Sequence, residues 1–207
     1  MLHRIPRWFQ HLFPRYTWNL DRQEKIIYLT FDDGPIPIIT EWVLETLKQY
    51  AVKGTFFVVG ENASRHPQII NKINAEGHSI GNHTFHHLKG WGVSTHNYYK
   101  DVERCSDVIK EQTGILPKFF RPPHGRIKPS QAKLLREKYE LIMWDTLTVD
   151  YDKNLDEKKC LTNSIRATRA GSIVVFHDSI KAEKNLRYVL PKYIEHFQKL
   201  GYIFNAL

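Results

Sequence analysis

Two pairs of side chains in this sequence have types and spacings that can do chemistry together. The adjacent carboxylates Asp32 and Asp33 directly follow an apolar run. His83 and His87 are four positions apart, so a helical turn or a tight loop can bring both imidazoles to one cation. Two histidines and one carboxylate leave coordination positions open, as in catalytic zinc or ferrous sites. The sequence therefore predicts a metal-dependent hydrolase with a second carboxylate that acts as base.

The two carboxylates can face one pocket only if a strand ends beside them, because side chains alternate faces along a strand. Gly34 and Pro35 follow directly and end a strand at this point. We therefore expect Asp32 and Asp33 at the tip of a strand, one as metal ligand and the other as base.

Four short motifs resemble those of the polysaccharide deacetylases, the family built on the domain of the nodulation chitooligosaccharide deacetylase, and they occur in the family's order. The first is Thr-Phe-Asp-Asp-Gly at 30–34, and the second is His-Thr-Phe-His-His at 83–87. The third is Arg-Pro-Pro-His-Gly at 121–125, with histidine in place of the usual aromatic residue. The last is Val-Phe-His-Asp at 175–178. The resemblance extends over nearly the whole chain.

The resemblance implies a role for each matching residue. Asp33, His83 and His87 would hold a divalent cation, most simply zinc. Asp32 would take a proton from the attacking water, and Arg121 would pair with Asp32 to hold it ionised. The resemblance also implies that four further residues bind the oxyanion or the sugar: Pro123, His124, Gly125 and Tyr151.

The family has five motifs, and its fourth, which lies between the Arg-Pro-Pro-His-Gly stretch and the last one, departs here from the family's usual form. The family has Asp-x-x-Asp-Trp, and aligning Asp150 with the second carboxylate puts Leu147 where the first belongs. By resemblance His177 protonates the departing amine, and a neighbouring carboxylate would keep its imidazole charged. We predict that Asp150 is this carboxylate, with Asp145 and Asp152 as alternatives.

Several activities fit these residues. The main prediction is removal of N-acetyl groups from an amino-sugar glycan of the chitooligosaccharide or peptidoglycan type. The same site could remove O-acetyl groups from a xylan-type glycan. Hydrolysis of other amides, such as ureides, occurs in relatives without the metal ligands, and the complete ligand set disfavours it here. A catalytically silent glycan-binding protein is the alternative from a different class, and its only support is the altered fourth motif.

Strand-like and helix-like segments alternate along the chain. Apolar runs at 26–31, 54–59 and 172–177 predict strands, and amphipathic patterns at 38–50 and 97–113 predict helices. Repeated βα units indicate a parallel sheet with helices outside, and each candidate catalytic residue follows a strand. The predicted fold class is α/β, and the resemblance makes it a single-domain distorted (β/α) barrel of about seven parallel strands.

The composition is that of an ordinary enzyme domain. With 207 residues, of which 42% are hydrophobic, the chain can bury one sizeable core. No apolar run is long enough to predict a membrane-spanning helix. The net charge of +8 favours negatively charged partners, such as cell-wall polymer, acidic glycan or an anionic membrane surface. No known motif supports nucleic acid as a partner.

The first residues differ in character from the rest. They combine apolar residues such as Trp8 and Leu12 with Arg7 and Arg15, and the interrupted apolar run does not match a signal peptide. This segment either packs on the barrel or lies on an anionic membrane as a short amphipathic helix. The expected location is the cytoplasm or the membrane periphery, with bacterial export left open. The expected domain division is an N-terminal amphipathic segment, 1–24, followed by a deacetylase domain, 25–207.

Overall fold

Strands and helices alternate along the chain, as the sequence pattern predicts. A computed structural model describes residues 3–207. Its strands are β1 (Ile26–Asp32), β2 (Thr55–Val58), β3 (Ser79–Asn82), β4 (Phe119–Phe120), β5 (Glu140–Leu141), β6 (Thr146–Leu147), β7 (Ile173–His177) and β8 (Ile203–Asn205). Its helices are α1 (Arg7–Leu12), α2 (Ile39–Gln49), α3 (Gly60–Arg65), α4 (Pro67–Ala75), α5 (Thr95–Thr113), α6 (Pro129–Leu135), α7 (Glu157–Ala167) and α8 (Glu183–Lys199). Within residues 3–207 no helix is both long and apolar enough to cross a membrane.

The strands form one parallel sheet centred on β1. The strand order is β5-β4-β3-β2-β1-β7-β6, and β8 pairs with the first half of β1. In this register Asp32 lies between Phe57 of β2 and His177 of β7. The carboxyl ends of neighbouring parallel strands meet at one face, so the residues that follow them can form a common site. The predicted distorted (β/α) barrel is confirmed, with seven strands in its main path.

The central strand separates two environments. Leu29 and Phe31 are fully buried against the helices, and the ring of Phe31 stacks on Phe56 and Phe176 at centroid distances of 4.9 and 6.0 Å. The alternate residues of β1 face the barrel interior because side chains alternate along a strand. Thr30 is one of these and accepts a hydrogen bond there. The interior-facing row therefore leads directly to the candidate site at the strand's end.

The N-terminal segment contacts both edges of the sheet. The backbone N–H of Thr17 donates to the carbonyl of Leu141 in β5 at 2.9 Å. The N–H of Leu147 in β6 donates to the carbonyl of His3 at the same distance. Helix α1 lies between these contacts in the sequence, and its Trp8 remains 67% exposed. The segment therefore covers the gap between the two edge strands.

The main departure from the sequence pattern concerns residues 140–145, which predict one continuous strand. In the structure β5 ends at Leu141, and a new strand, β6, begins at Thr146 on the opposite edge of the sheet. The chain between them crosses the gap, and its backbone forms hydrogen bonds with the N-terminal segment. One of these runs from the N–H of Met143 to the carbonyl of Thr17. Partners far away in the sequence thus set the strand ends. Helix α3 was also not predicted.

Candidate active site

The two adjacent carboxylates lie at the tip of β1, and both face one cavity. Asp32 is the last residue of the strand, and Asp33 has a positive φ of 83°. This left-handed backbone breaks the alternation of faces, so both side chains line a cavity of about 460 Å³. The expected strand end is therefore observed, and a backbone turn at Asp33 produces it.

The two histidines come from an irregular loop after β3 and not from a helix. Thr84 and His87 both have positive φ, of 65° and 55°. Side chains hold the loop in this shape: the side-chain carbonyl of Asn82 accepts from the N–H of Thr84 at 2.8 Å, and the carboxylate of Asp101 accepts from the N–H of Phe85 at 2.8 Å. These bonds replace the pairing that a helix would provide.

The ligand atoms of Asp33, His83 and His87 lie within 4.8 Å of one another. Oδ1 of Asp33 is 3.2 Å from Nε2 of His87 and 3.9 Å from Nε2 of His83. Ligands bound to zinc at about 2.0–2.1 Å in a tetrahedron lie roughly 3.4 Å apart, so the spacing fits such an ion. Nδ1 of His83 bonds to the carbonyl of Arg121 at 2.7 Å, which leaves Nε2 free to ligate.

The charges of this triad also suit a cation. Burial lowers the pKa of His83 to about 4, so its imidazole is neutral at neutral pH. Burial alone would raise the pKa of Asp33, but the hydrogen bond from His87 and the nearby charge of His177 hold it well below its usual range. Metal ligation requires neutral imidazole and ionised carboxylate, and these are the forms of His83 and Asp33.

Asp32 is paired with Arg121 inside the barrel. Nη1 of Arg121, which is fully buried, donates to Oδ1 of Asp32 and to the hydroxyl of Thr30, both at 2.7 Å. Nη2 donates to the carbonyl of Met143 at 3.0 Å, and the guanidinium stacks 4.0 Å from the ring of Phe57. A buried guanidinium with this many partners is fixed in place, so it orients Asp32.

His177 is paired with Asp150, the predicted carboxylate. Nδ1 of His177 lies 2.7 Å from Oδ1 of Asp150, and its backbone N–H donates to Oδ2 at 2.8 Å. Burial alone would lower the pKa of His177, but the charge of Asp150 and its hydrogen bond raise it to about 9. The alternatives lie elsewhere: Asp145 bonds to Arg22 at 2.7 Å, and Asp152 accepts from the backbone of the nearby Asn154.

Of the other residues predicted to bind substrate, His124 and Tyr151 line the same cavity. Pro123, His124 and Gly125 form a 3₁₀ turn in which His124 has a φ of 57°. The N–H of Gly125 already donates to the chain at 2.9 Å and Pro123 has none, so His124 is the remaining backbone donor of this turn for an oxyanion. The ring of Tyr151 meets His177 edge-on at 4.9 Å.

Sequence reasoning missed one buried carboxylate behind the site. Asp178 accepts from the N–H of Gly34 at 3.0 Å and from the hydroxyl of Thr40 at 2.6 Å. Burial raises its pKa to about 8. A Cβ at Gly34 would lie 2.0 Å from its Oδ2, so this glycine is needed for the close approach. The only signal in the sequence was its place directly after His177. Other cavity-lining residues that were not predicted are Arg126, Trp144, Leu147, Val175, Ser179 and Lys181.

Comparisons with known proteins agree with this geometry. The family model described as polysaccharide deacetylase matches residues 19–140. Two proteins of Bacillus cereus, both named peptidoglycan-N-acetylglucosamine deacetylase, are similar to the chain. One is 36% identical over 79% of this chain and 60% of its own length, and the other is 32% identical over 91% and 89%. The chain thus spans less than two thirds of the first of these relatives.

A solved structure is similar over almost the whole chain. It is a peptidoglycan N-acetylglucosamine deacetylase in complex with a substituted N-hydroxybenzamide. It superposes with a TM-score of 0.90 at 30% sequence identity, covering 98% of this chain and 95% of that one. Together with the family match over more than half of the residues, this likeness shows that the chain belongs to the polysaccharide deacetylase family.

Proposed function

We propose that this chain is a metal-dependent hydrolase that removes N-acetyl groups from an amino-sugar glycan of the peptidoglycan or chitooligosaccharide type. One observation carries the proposal: a single cavity joins a candidate metal triad, a buried carboxylate–arginine pair and a histidine–carboxylate pair. Amide hydrolysis needs an electrophile, a base and an acid, and the three groups can supply them. The names of the relatives support the substrate class.

Asp33, His83 and His87 would hold the cation, and zinc suits two imidazoles and one carboxylate. When bound, a divalent cation there supplies Lewis acidity and lowers the pKa of water. The protein's own contribution is to hold the three ligands close together on one loop and one strand end, with His83 in its neutral form. Because these side chains are already held in position, they lose little conformational freedom when the metal binds.

Asp32 would accept the proton of the attacking water. Arg121 engages Oδ1, so we assign the proton transfer to Oδ2. The water oxygen bonds to the acetyl carbonyl carbon as its proton moves to Asp32. The N–H of His124 would donate to the oxyanion that forms at the acetyl oxygen.

His177 would protonate the departing amine. Its Nδ1 faces Asp150, so Nε2 is the atom that carries the proton to the substrate nitrogen. The carbon–nitrogen bond then breaks, and the products are acetate and a free amino sugar. Tyr151 packs against the imidazole edge and limits its rotation.

Acetate release by zinc-loaded protein tests this proposal, with chitooligosaccharides, peptidoglycan fragments and acetylated xylan as substrates. We expect Asp32→Asn to keep its metal and to lose about 10²–10⁴-fold in turnover, because general-base catalysis contributes that much. Asp107→Asn, an exposed change on α5, is the matched control and retains activity. Undiminished turnover by Asp32→Asn would remove Asp32 from the role of base.

The substrate panel separates the alternatives. Release from an amino-sugar glycan supports the N-deacetylase, and release from xylan alone would establish an O-acetyl esterase instead. If the metal-loaded protein binds glycans without any acetate release, it is a silent glycan-binding relative.

The proposal extends to the N-terminal segment, 1–24, which precedes the deacetylase domain, 25–207, in our division of the chain and bonds to the edge strands of that domain. Its exposed Trp8 lies on α1 beside Arg7, in a chain of net charge +8. An aromatic side chain beside cations suits contact with an anionic membrane or cell-wall polymer. Co-sedimentation with anionic and with neutral vesicles tests the membrane contact.

A further inference from the structure

An exposed tryptophan lies on a loop that is held by side-chain hydrogen bonds. Trp91 is 62% exposed, in the 3₁₀ turn Gly90–Gly92. Its indole Nε1 donates to the carbonyl of Ile127 at 3.2 Å. The side chain of Gln131 donates to the carbonyls on either side of it, those of Gly90 at 2.9 Å and Val93 at 3.2 Å. A large apolar ring held rigidly in solvent loses little entropy when it binds a flat partner.

A cation joins this tryptophan to the candidate active site. The guanidinium of Arg126 lies 5.2 Å from the ring centre of Trp91, and Arg126 also lines the cavity that contains the metal triad. The loops of the two residues are tied together, since the N–H of Gly90 donates to the carbonyl of Arg126 at 3.0 Å. The pair is therefore one surface adjoining the cavity, which we call the Trp91–Arg126 platform.

The charge on this platform is not neutralised. Lys89 directly precedes the turn that carries Trp91, and the guanidinium of Arg126 lies over the Trp91 ring. In residues 3–207 neither Lys89 nor Arg126 forms an ion pair, whereas Arg22 and Arg121 each pair with a carboxylate. An arginine fork without a carboxylate partner, at the edge of a substrate cavity, is suited to an anionic group on the substrate.

We propose that the Trp91–Arg126 platform is a specificity subsite for the sugar next to the one that is deacetylated, and that this neighbouring sugar carries a carboxylate. The inference rests on the proposed function. The exposed face of Trp91 would stack on the apolar face of the sugar ring, and the guanidinium would hold the carboxylate. The preferred substrate is therefore a glycan that alternates acetamido sugars with acidic ones, as opposed to a uniform neutral oligosaccharide.

Three substrates of equal length test this inference: an alternating glycan with free carboxylates, the same glycan with its carboxylates converted to methyl esters, and a neutral oligomer of N-acetylglucosamine. With zinc-loaded wild type we expect KM to be about tenfold lower for the free acid than for the ester, with a similar kcat. The advantage should shrink at high salt. Equal KM values for acid and ester would overturn the inference.

Variants place the effect on Arg126. We expect Arg126→Gln to raise KM for the free acid about tenfold and to change the ester less than threefold, whereas Arg126→Lys recovers part of the difference. Arg166→Gln, an exposed change on α7, is the matched control and keeps the preference. Trp91→Ala should raise KM for acid and ester alike, since stacking does not depend on charge. Equal losses on acid and ester in Arg126→Gln would overturn the subsite.

Binding distinguishes failure of this inference from failure of the proposed function. Calorimetric titration of the zinc-loaded protein with the acid and ester glycans requires no turnover. Tighter binding of the acid, abolished by Arg126→Gln, supports the subsite even if no acetate is released. Acetate release from all three glycans with equal affinities would support the deacetylase and reject the subsite.

Discussion

The two ends of the barrel use left-handed backbone in different ways. At the end opposite the site, four of the turns that lead from a helix into a strand have their positive φ at a glycine: Gly77, Gly114, Gly171 and Gly201. At the site, positive φ occurs mostly at residues with side chains: Asp33, Thr84, His87, His124 and Val149. Glycine adopts this conformation freely, whereas other residues lose roughly 1–2 kcal/mol. The end with the candidate site therefore retains strain that the other end, apart from Ala51, avoids.

The strain coincides with the placement of candidate functional groups. Asp33 and His87 are two of the three candidate metal ligands, and Val149 directly precedes Asp150, the partner of His177. A β-branched residue such as Val149 is a particularly poor fit for this backbone. Glycine at these positions would relax the loops but would remove a ligand or loosen its neighbour. We infer that the site end is shaped for side-chain position and the opposite end for stability.

The largest expected effect comes from placing glycine at a positive-φ position of the site, as at the opposite end. His87→Gly removes a candidate ligand and also the strain at a φ of 55°. We expect zinc affinity to fall by more than about 100-fold, since even groups that only orient a ligand contribute 10–100-fold. The metal-free protein should change in stability by less than about 1 kcal/mol, because relief of strain offsets the lost contacts.

Zinc titration against a chromophoric chelator and urea unfolding in excess chelator measure both quantities. His96→Ala, an exposed change on α5, is the control and leaves zinc affinity intact. A metal-free His87→Gly protein that is less stable by several kcal/mol would show that the loop contributes to folding, against the contrast drawn here.

The reverse change, from glycine to alanine at the opposite end, should affect stability instead. At Gly171 a Cβ would lie 2.4 Å from the backbone oxygen of Asp21, in addition to the strain at its φ of 74°. We expect Gly171→Ala to lower the free energy of unfolding by about 3 kcal/mol, the sum of strain and overpacking, and to lower Tm by roughly 6–12 °C. Gly114→Ala has the same φ with nothing within 4 Å, so its loss should be about 1 kcal/mol. Equal losses in the two variants would mean that the close contact has no effect.

Two histidines, one partly buried and one buried, extend the contrast to electrostatics. The pKa of His177 at the site is raised to about 9 beside Asp150, whereas burial and Lys53 lower the pKa of His78 at the other end to about 4. His177 therefore stabilises the fold below pH 6.5, and this contribution is lost as the pH rises through 9. His78 acts in the opposite sense. Between pH 6.5 and 4 it binds a proton in the unfolded protein but stays neutral in the folded one, so stability falls as the pH drops from 6.5 towards 4.

Asp150→Asn isolates the cause at the site. We expect the pKa of His177 to fall by about 1–3 pH units and that of His78 to stay constant. NMR titration of the ring protons in chelator-treated protein measures both values. An unchanged pKa of His177 would mean that Asp150 is not the source of its charge.

The sequence was most informative where local rules suffice. The apolar run before Asp32, with Gly34 after it, predicted the end of β1, and the structure confirms the barrel that the alternating elements and the resemblance indicated. The candidate ligands could be named because residue type and spacing alone restrict metal chemistry. The carboxylate that faces His177 could only be chosen from three candidates, since its position depends on how the loop after β6 turns at Val149.

Features that depend on distant partners could not be predicted. The break between β5 and β6 arises from pairing with the N-terminal segment, more than a hundred residues earlier in the chain. Asp178 is held by Thr40 and Gly34 across the same kind of separation. The Trp91–Arg126 platform likewise exists only because two loops meet, and nothing in the sequence around Trp91 marks it as a neighbour of the site.

The smallest predicted effect concerns a turn at the end opposite the site that has alanine, and not glycine, at positive φ. Ala51 lies in the turn from α2 to β2 with a φ of 53°, whereas four other turns from a helix into a strand have glycine at positive φ. Its N–H donates to Lys48, and the next N–H donates to Leu47 at 2.9 Å, so the turn itself is well formed. We expect Ala51→Gly to stabilise the protein by about 0.5 kcal/mol. Relief of roughly 1–2 kcal/mol of strain is partly offset by the entropy that glycine adds to the unfolded chain.

Urea unfolding against wild type measures this gain, with activity as a second readout that should not change. Ala75→Gly, near the end of helix α4, is the matched control and should be destabilising, because glycine weakens a regular helix by up to about 1 kcal/mol. If both variants destabilise the protein equally, the left-handed backbone at Ala51 is not strained. The two ends of the barrel would then differ in which side chains they carry and not in how their backbones are stabilised.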